Sequence, residues 1–248
     1  EDLIFDYGKA EKFCNFCGHL PHVKGKWAQE NKQFDLEPWQ KFKFINLFGF
    51  YRTSNGKRKY QEVLNIIPRK NGKSIDAAAV GLYMLTSDGE FGSEVYCGAT
   101  SEKQVYKTFQ TGMGARENPL LYVITTAGDN INGPCHEKVQ ECIQILEGVL
   151  TDDHADSTLV LIYTIDDDAP EDFWMTEEAL RMANPNYGVS IAADWLKKQQ
   201  AQAIRSAKDQ GFFKTKHLNL WVNQTEPFVN YEDWKKCADS KMSIEDYA

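Results

Sequence analysis

One stretch, residues 62–74 (EVLNIIPRKNGKS), constrains the fold of this sequence more than any other. The run from Val63 to Ile67 is almost wholly apolar, as expected for a strand that is buried on both faces. A short polar loop follows, and residues 77–80 (AAAV) behind it suit a helix packed on a sheet. In a strand, loop and helix of this kind, backbone N–H groups and the helix N-terminus bind phosphate oxygens. The stretch therefore predicts a phosphate-binding loop that ends in Gly-Lys-Ser.

The loop departs from the full pattern G-x-x-x-x-G-K-[ST] at its first position, where Ile67 replaces glycine. In the full pattern the lysine reaches the β- and γ-phosphates, and the Ser or Thr hydroxyl ligates Mg²⁺. Lys73 and Ser74 occupy these two positions. A Gly-Lys-Ser alone is also compatible with an ordinary turn and helix cap, because Gly and Ser favour such places for local reasons. The flanking strand and helix favour the nucleotide interpretation.

Further apolar segments predict the rest of a mainly parallel sheet flanked by helices. They are residues 94–100, 119–128 and 157–168, with a helix at about 134–149 between the last two. Strands that alternate with helices form βαβ units, whose ligand crevice lies at the carboxyl ends of the strands. Thr125 and Thr126 would lie at that edge. Their hydroxyls can sense a γ-phosphate or hold a water there, or can simply cap the end of the strand.

The acidic end of the last segment, Asp166 to Asp168, has two interpretations. An apolar strand whose end delivers acids to Mg²⁺ and to the attacking water has this form. A strand that runs into an acidic surface loop before Pro170 has it equally.

Two patterns in the first 40 residues each allow a functional and a structural interpretation. Residues 14–22 (CNFCGHLPH) offer thiols and imidazoles at metal-like spacing, but the apolar positions around them favour a helix that ends near Gly18. Trp39 and Gln40 precede the loop strand, and a Gln amide can both donate to and accept from an adenine edge. The alternative is a helix that starts at Pro38 and buries Trp39 in the core.

Two basic segments complete the local patterns. Residues 52–59 (RTSNGKRK) predict a solvated turn with a hairpin-like Asn-Gly. Residues 192–208 predict a helix with lysines and arginine on one face, which suits either a functional subdomain or ordinary helical packing with a solvated basic face.

The composition fits a large intracellular α/β domain, or one domain with a small appendage. The 248 residues are 42% hydrophobic, which is enough for a sizeable core. Lys and Arg number 28 against 36 Asp and Glu, so the net charge is −8 and any DNA contact must be local or shared. No apolar run approaches the ~18 residues that span a bilayer, and the N-terminus lacks the basic start of a signal peptide. The six scattered cysteines favour free thiols in a reducing compartment.

Several of these segments together resemble the ATPase domain of tailed-bacteriophage large terminase subunits, the motors that package DNA into procapsids. Residues 36–40 (LEPWQ) resemble the family's adenine-binding Q motif, and residues 68–74 (PRKNGKS) resemble its Walker A loop, in which the first glycine is commonly absent. Residues 125–128 (TTAG) resemble its coupling motif. Residues 183–188 and 218–223 are similar to segments between the ATPase core and the nuclease domain. The resemblance spans nearly the whole chain and implies a RecA-like P-loop NTPase fold with a small helical lid subdomain at its C-terminal end.

The resemblance also implies ATP and Mg²⁺ as ligands and a role for individual residues. Lys73 and the loop N–H groups would hold the β- and γ-phosphates, and Ser74 would ligate Mg²⁺. Arg69 would sense or stabilise γ-phosphate charge in cis, and Arg116 is a candidate for the same task in trans. The residues expected to be catalytic are Arg69, Lys73, Thr125 and Thr126. Those expected to bind ATP are Trp39, Gln40, Arg69, Lys70, Asn71, Gly72, Lys73 and Ser74.

The sequence departs from the family in two places. The family has a strand ending in an Asp-Glu pair, the Walker B acids, before the coupling motif, but here only residues 105–118 intervene and they contain no acid pair. We therefore expect that the residues with this acid pair are missing from this sequence near Gln104/Val105. Asp166 to Asp168 follow the coupling motif, the wrong place for this pair, which favours the surface-loop interpretation. The sequence also stops at Ala248, where the nuclease domain would begin, so we expect ATP hydrolysis at best and no DNA cleavage.

These expectations combine into a domain division and a function. Residues 1–175 would form the ATPase core, and residues 176–248 the lid and linker subdomain. The expected function is ATP-driven translocation of double-stranded DNA into a procapsid in the host cell cytoplasm. The expected partners are DNA, the portal protein, the small terminase subunit and, in a ring on the procapsid, further copies of the chain. The alternatives are a helicase-like P-loop ATPase and a domain that binds nucleotide without hydrolysis, or that binds only partner proteins.

Overall fold

A computed structural model describes residues 2–23, 25–98 and 103–222. The strands are β1 (Leu3–Phe5), β2 (Phe50–Arg52), β3 (Glu62–Ile66), β4 (Leu121–Thr125) and β5 (Thr158–Ile162). The helices are α1 (Tyr7–Cys17), α2 (Gly25–Gln29), α3 (Pro38–Gly49), α4 (Lys73–Thr86), α5 (Lys103–Gly112), α6 (Pro134–Leu146), α7 (Asp153–Asp156), α8 (Glu177–Ala183), α9 (Ala193–Arg205) and α10 (Ala207–His217). Short 3₁₀ turns lie at Met113–Ala115 and Phe173–Met175.

A parallel sheet with the order β4–β3–β5 lies at the centre of the fold. Its middle strand β3 is buried along its whole length, as the apolar run predicts. Ile66 lies opposite Thr125 on one side and Ile162 on the other, so the three strands end at one edge of the sheet. The predicted α/β class with a parallel sheet flanked by helices is confirmed. β1 and β2 form a separate antiparallel pair.

Helices cover both faces of this sheet, which is the arrangement that parallel strands require. On one face, Val63 and Leu161 pack against an apolar cluster from α1, α3 and α4, with Phe13, Phe44 and Tyr83 among its buried members. On the other face, strand residues pack against α6; this cluster is Leu64, Ile66, Val139, Cys142 and Val160. The sheet is therefore a middle layer, and its carboxyl edge carries the loops.

A third apolar cluster gathers the helices that follow β5. Leu180 of α8, Leu196 of α9 and Phe213 of α10 are buried in it, together with Leu218. Trp174, from the 3₁₀ turn ahead of α8, is also a member. This cluster packs the residues after β5 into a helical unit with an interior of its own.

The helix starts follow local capping chemistry. Asp6 caps α1 by accepting a hydrogen bond from the Lys9 N–H at 3.0 Å, and Gly18 caps its other end, as predicted. At α3, Pro38 occupies the first turn, and Glu37 and Gln40 form a reciprocal capping box. These local signals explain why α1 ends near Gly18 and why α3 begins at Pro38.

Two predicted elements differ from the structure. Residues 94–98 are not a strand but exposed chain, and Thr100 lies outside the described residues. A strand is stable only when its backbone groups pair, and within the described ranges the outer edge of β4 has no further strand beside it. The helix expected over 192–208 is two helices, α9 and α10, because Ser206 ends the first and caps the second.

The basic turn at 52–59 is only partly solvated. Arg58 is 1% exposed, and its guanidinium donates to the carbonyls of Asn118 and Pro119 and pairs with Asp88 at 3.3 Å. The expectation of a wholly solvated loop is wrong at this residue, since a planar guanidinium with five donors can fasten two segments together. α5 continues from Lys103 to Gly112 through the 104/105 junction.

The cysteines and the lengths of the helices bear on two expectations from the sequence. Cys14, Cys17, Cys97, Cys135 and Cys142 are free thiols, whereas Cys237 lies outside the described residues. Within the described ranges, every helix is too short or too polar to span a bilayer. Residues 223–248 of the expected lid segment also lie outside the described residues.

Candidate functional site

The loop between β3 and α4 turns sharply at the carboxyl edge of the sheet. Lys70 and Gly72 both have left-handed backbone angles, with φ of 73° and 81°. Gly72 stands immediately before α4, whose first turn contains Lys73 and Ser74. The first amides of a helix have no acceptor within the helix, and the helix dipole favours negative charge at this end. The loop therefore ends in a ready binding place for an anion.

The ammonium group of Lys73 joins this loop to the end of β4. It donates to the carbonyls of Ile67 and Pro68 at 2.5 and 2.8 Å and to the Thr126 hydroxyl at 2.7 Å. That hydroxyl in turn donates to the Ile67 carbonyl at 3.0 Å. The lysine thus lies between the loop strand and the Thr-Thr pair, with neutral oxygens as its acceptors.

Positive charge accumulates around this ammonium. Burial, together with the nearby Arg69 and Lys216, lowers the pKa of Lys73 to about 8. Burial and Arg69 also lower the pKa of Lys216, and burial, Arg69 and Lys70 lower the pKa of His217 to about 4. Each of these shifts disfavours a further positive charge. The site is thus electrostatically complementary to a polyanion such as a nucleotide's phosphates.

The side chain of Asn71 fixes the loop to the helical unit that follows β5. Asn71 is fully buried, and its amide donates to the Asn184 side-chain oxygen at 2.9 Å and to the Pro68 carbonyl at 3.2 Å. Its own oxygen accepts from the Asn186 N–H at 3.1 Å. The Ser190 hydroxyl donates to the Lys70 carbonyl at 2.8 Å. The conformation of the loop therefore depends on residues more than a hundred positions further along the chain.

Residues 38–107, which contain α3, β3, the loop and α4, match the family model "Terminase large subunit, ATPase domain". This stretch of the chain is therefore similar to the ATPase domain of terminase large subunits. It is also 38% identical over 162 residues to Protein YmfN of Escherichia coli strain K12, a match that covers 63% of this chain and 34% of that protein. The chain thus spans about a third of the length of this relative.

The fold of this chain has a counterpart among solved structures. The crystal structure of the HK97 bacteriophage large terminase superposes with a TM-score of 0.64 at 17% identity, over 92% of this chain and 58% of that one. The likeness shows that the two chains share their overall α/β fold. Nucleotide binding and ATP hydrolysis are general properties of the family that the match identifies.

The structure brings most of the predicted site residues together. Arg69, Lys70 and Ser74 are exposed around the loop. The Arg69 guanidinium lies 5.8 Å from the ring centre of Phe212 in α10. The Thr125 hydroxyl donates to the Thr126 carbonyl at 3.3 Å and lies 3.6 Å from the Cys135 sulfur. The loop and the Thr-Thr pair therefore form one continuous polar surface.

Trp39 and Gln40 lie beside the loop but already have protein partners. The indole N–H of Trp39 donates to the Asn186 side-chain oxygen at 2.8 Å. Gln40 is 2% exposed, its amide nitrogen donates to Asp76 at 2.6 Å, and its oxygen accepts from the Glu37 N–H at 2.9 Å. Both ends of the Gln40 amide are thus occupied within the protein, and its contact with adenine stays a prediction.

Arg116 and the acidic run lie apart from the loop. Arg116 donates to the Gly92 carbonyl at 2.7 Å and pairs with Glu94 at 2.8 Å. It lines a surface pocket of about 350 Å³ with Glu62, at the amino end of β3. Residues 166–168 are exposed after β5, as the surface-loop interpretation expects.

The fit of a magnesium ion rests on one hydroxyl and on the phosphates. Mg²⁺ in phosphate-transfer sites is held by one or two protein groups together with phosphate oxygens and water. Ser74, exposed in the first turn of α4, can supply one such oxygen. Within the described ranges, no three acidic, histidine or cysteine side chains come together as metal ligands. The residues fit an ion that the nucleotide itself carries into the site.

Sequence reasoning missed a buried ion pair behind the loop. The Lys43 ammonium lies 2.5 Å from the Asp76 carboxylate, and both side chains are fully buried. Burial lowers the pKa of Lys43 and raises that of Asp76, and the opposite charge of each partner counteracts the shift. Because Asp76 also accepts from Gln40, this pair links α3 to α4. A lysine on the apolar face of α3 was the available sequence signal.

Sequence reasoning also missed the long-range partners of the loop. Asn184 and Asn186 lie in a segment whose family resemblance is visible in the sequence, but nothing local assigns their partner. Lys216 and Asn219 approach residues 125–128 from the end of α10. Lys216 donates to the Ala127 carbonyl at 3.0 Å, and Asn219 accepts from the Ala127 N–H at 2.6 Å.

Proposed function

We propose that this chain binds ATP at the β3–α4 loop and hydrolyses it to move double-stranded DNA, as the motor domain of a phage large terminase. The observation that carries the proposal is the position of the Lys73 ammonium between the loop and the Thr126 hydroxyl, within a cluster of cations. A lysine held among neutral oxygens, with a pKa lowered by burial and by other cations, gains most from an incoming polyphosphate.

The proposed chemistry assigns each part of the site a task. The N-terminal amides of α4 and the Lys73 ammonium bind the β- and γ-phosphates, and Arg69 neutralises charge that develops on the γ-phosphate. Mg²⁺ bound with the nucleotide would supply further neutralisation of phosphate charge, with Ser74 as its protein ligand. Thr125 and Thr126 connect this chemistry to the chain beyond β4. Trp39 and Gln40 flank the side of the loop where we propose that the adenine binds.

We further propose that residues 176–248 act as a lid and linker next to the core formed by residues 1–175. The separate apolar cluster of α8, α9 and α10 supports a second unit, and this cluster already includes Ile165 and Trp174, which precede residue 176. The hydrogen bonds from Asn71 to Asn184 and Asn186 supply a path by which phosphate binding can change the packing of that unit. Because the net charge is −8, contacts with DNA are local. They are shared with the portal protein, the small terminase subunit and further copies of the chain.

The test is ATP turnover by the purified chain, with and without double-stranded DNA. We expect Lys73→Ala to reduce turnover about a hundredfold, the typical effect of removing one group that stabilises developing charge. Lys41→Ala, on the exposed side of α3, is the matched control and should leave turnover unchanged. Equal turnover by Lys73→Ala and the unchanged chain would refute the site. ATP binding without turnover would instead favour a nucleotide-binding module.

A further inference from the structure

Lys216, the penultimate residue of α10, reaches the loop from a part of the chain that follows β5. Its carbonyl accepts a hydrogen bond from the Arg69 N–H at 2.9 Å, so its backbone adjoins the loop directly. Its ammonium donates to the Ala127 carbonyl at 3.0 Å. Ala127 follows Thr126, whose hydroxyl binds the Lys73 ammonium. The two ammonium groups therefore contact neighbouring residues of one short segment.

The residues after Lys216 fix this position. Leu218 is fully buried in the apolar cluster of the helical unit. Asn219 has a left-handed backbone with φ of 61°, and its side chain accepts from the Ala127 N–H and donates to the Tyr163 carbonyl at 3.0 Å. The end of α10 is thus fastened to the segments that follow both β4 and β5. Lys216 is presented by a rigid support rather than by a loose loop.

Lys216 lies among other cations. Burial and Arg69 disfavour its charge, Asp129 favours it, and Lys216 in turn contributes to the lowered pKa of Lys73. Arg69, Lys73 and Lys216 therefore repel one another across the surface of the loop. A lysine has three donors on a flexible stem, so its ammonium can turn from a carbonyl toward a phosphate without movement of the helix.

We propose that Lys216 is a third phosphate-binding cation of this site, which contacts the terminal phosphate of a nucleoside triphosphate. The proposal rests on the proposed function, since it takes the nucleotide site at the β3–α4 loop as given. The terminal phosphate is its target because the Lys216 ammonium contacts Ala127, which directly follows the Thr-Thr pair. The nucleotide site is then complete only when α10 is packed against the loop. The contact with Lys216 lets the site distinguish a triphosphate from a diphosphate.

The first test compares ATP and ADP binding by calorimetry in Lys216→Gln and in a matched control. Loss of one charged hydrogen-bonding partner should weaken ATP binding about tenfold. ADP binding should change less than about threefold, because its phosphates are held by the loop. Lys208→Gln removes an exposed lysine from the first turn of the same helix and should bind both nucleotides like the unchanged chain. Lys216→Arg should restore part of the preference for ATP.

The outcomes separate the two proposals. If the unchanged chain binds ATP and Lys216→Gln binds it equally well, the role of Lys216 is refuted and the proposed function stands. A similar loss for ATP and ADP also refutes the terminal-phosphate assignment. If the unchanged chain binds neither nucleotide, the proposed function itself fails.

A second measurement needs no substitution and decides the matter if Lys216→Gln does not fold. Lysines of the unchanged chain are acetylated with a water-soluble reagent and quantified by mass spectrometry, with AMP-PNP, with ADP and without nucleotide. We expect AMP-PNP to slow acetylation of Lys216 at least about threefold more than ADP does, because a bound phosphate shields the amine and favours its unreactive charged form. Lys208 should react equally in all three samples. Equal protection of Lys216 by the two nucleotides refutes the proposal.

Discussion

Removing one partner of the buried Lys43–Asp76 pair should destabilise the fold more than almost any other single change in the chain. Both side chains are fully buried, and the ammonium and carboxylate are 2.5 Å apart. Breaking a buried pair leaves one uncompensated charge, which typically costs about 3–5 kcal/mol. For Lys43→Met we therefore expect a loss of this size in the free energy of unfolding. For a domain of this length the melting temperature should fall by about 6–20 °C.

The pH dependence gives the prediction its sign. In Lys43→Met the Asp76 carboxyl loses its cation, so its folded-state pKa rises further above the unfolded value, and stability is lost as pH rises through the acidic range toward neutrality. In Asp76→Asn the Lys43 ammonium loses its anion, and its folded-state pKa falls further below the unfolded value. Stability then increases as pH rises through the alkaline range. Both variants should be less stable than the unchanged chain, but the slopes of their stability against pH should have opposite signs.

The assay is guanidinium unfolding followed by far-UV circular dichroism and by tryptophan fluorescence, at several pH values. Lys41→Met, on the exposed side of the same helix, should stay within about 0.5 kcal/mol of the unchanged chain. A double variant, Lys43→Met with Asp76→Asn, should be no less stable than either single variant, because no buried charge remains. Losses below 1 kcal/mol in both single variants, or losses that simply add in the double variant, would refute the reasoning.

Three further perturbations test other parts of the structure. Because the pKa of Lys73 is lowered to about 8, ATP affinity should fall as pH rises through that value. Calorimetry at about pH 8.5, in buffers of different ionisation enthalpy, should detect proton uptake when ATP binds. Binding without proton uptake would contradict the lowered pKa. Asn71→Ala leaves the Asn184 oxygen and the Asn186 N–H buried without a partner, and we expect a loss of about 2–4 kcal/mol in thermal unfolding, whereas a loss below 0.5 kcal/mol would show that the contact is not needed. Arg58→Met should cost about 3 kcal/mol or more in the same assay, since it strands the Asp88 carboxylate and two carbonyls, and unchanged stability would remove the argument that it joins two segments.

The elements that sequence predicts well are those whose signal is local. The unbroken apolar run of β3, the apolar segments of β4 and β5 and the proline that starts α6 are each visible within a dozen residues. Parallel pairing then follows from the helices between the strands. The convergence of the loop and the Thr-Thr pair at one edge is a consequence of this topology.

The failures share one physical cause, which is that pairing partners far along the chain decide the outcome. Residues 94–98 have the composition of a strand, but a strand needs a neighbour, and local composition cannot report whether one is present. Arg58 looks like a surface charge until the carbonyls of Asn118 and Pro119 are seen to surround it.

The hydrogen bonds that hold Asn71 of the β3–α4 loop to Asn184 and Asn186 have a consequence for the inheritance of this domain. Asn71 is separated from Asn184 by 113 positions and from Asn186 by 115, yet their hydrogen bonds set the shape of the six-residue loop between β3 and α4. A recombination event between related genes that exchanges only the loop, or only the segment with Asn184 and Asn186, combines two parts that did not evolve together. Functional chimaeras should therefore have crossover points outside the interval from Asn71 to Asn186, and the loop together with its distant asparagines should be transmitted as a single block.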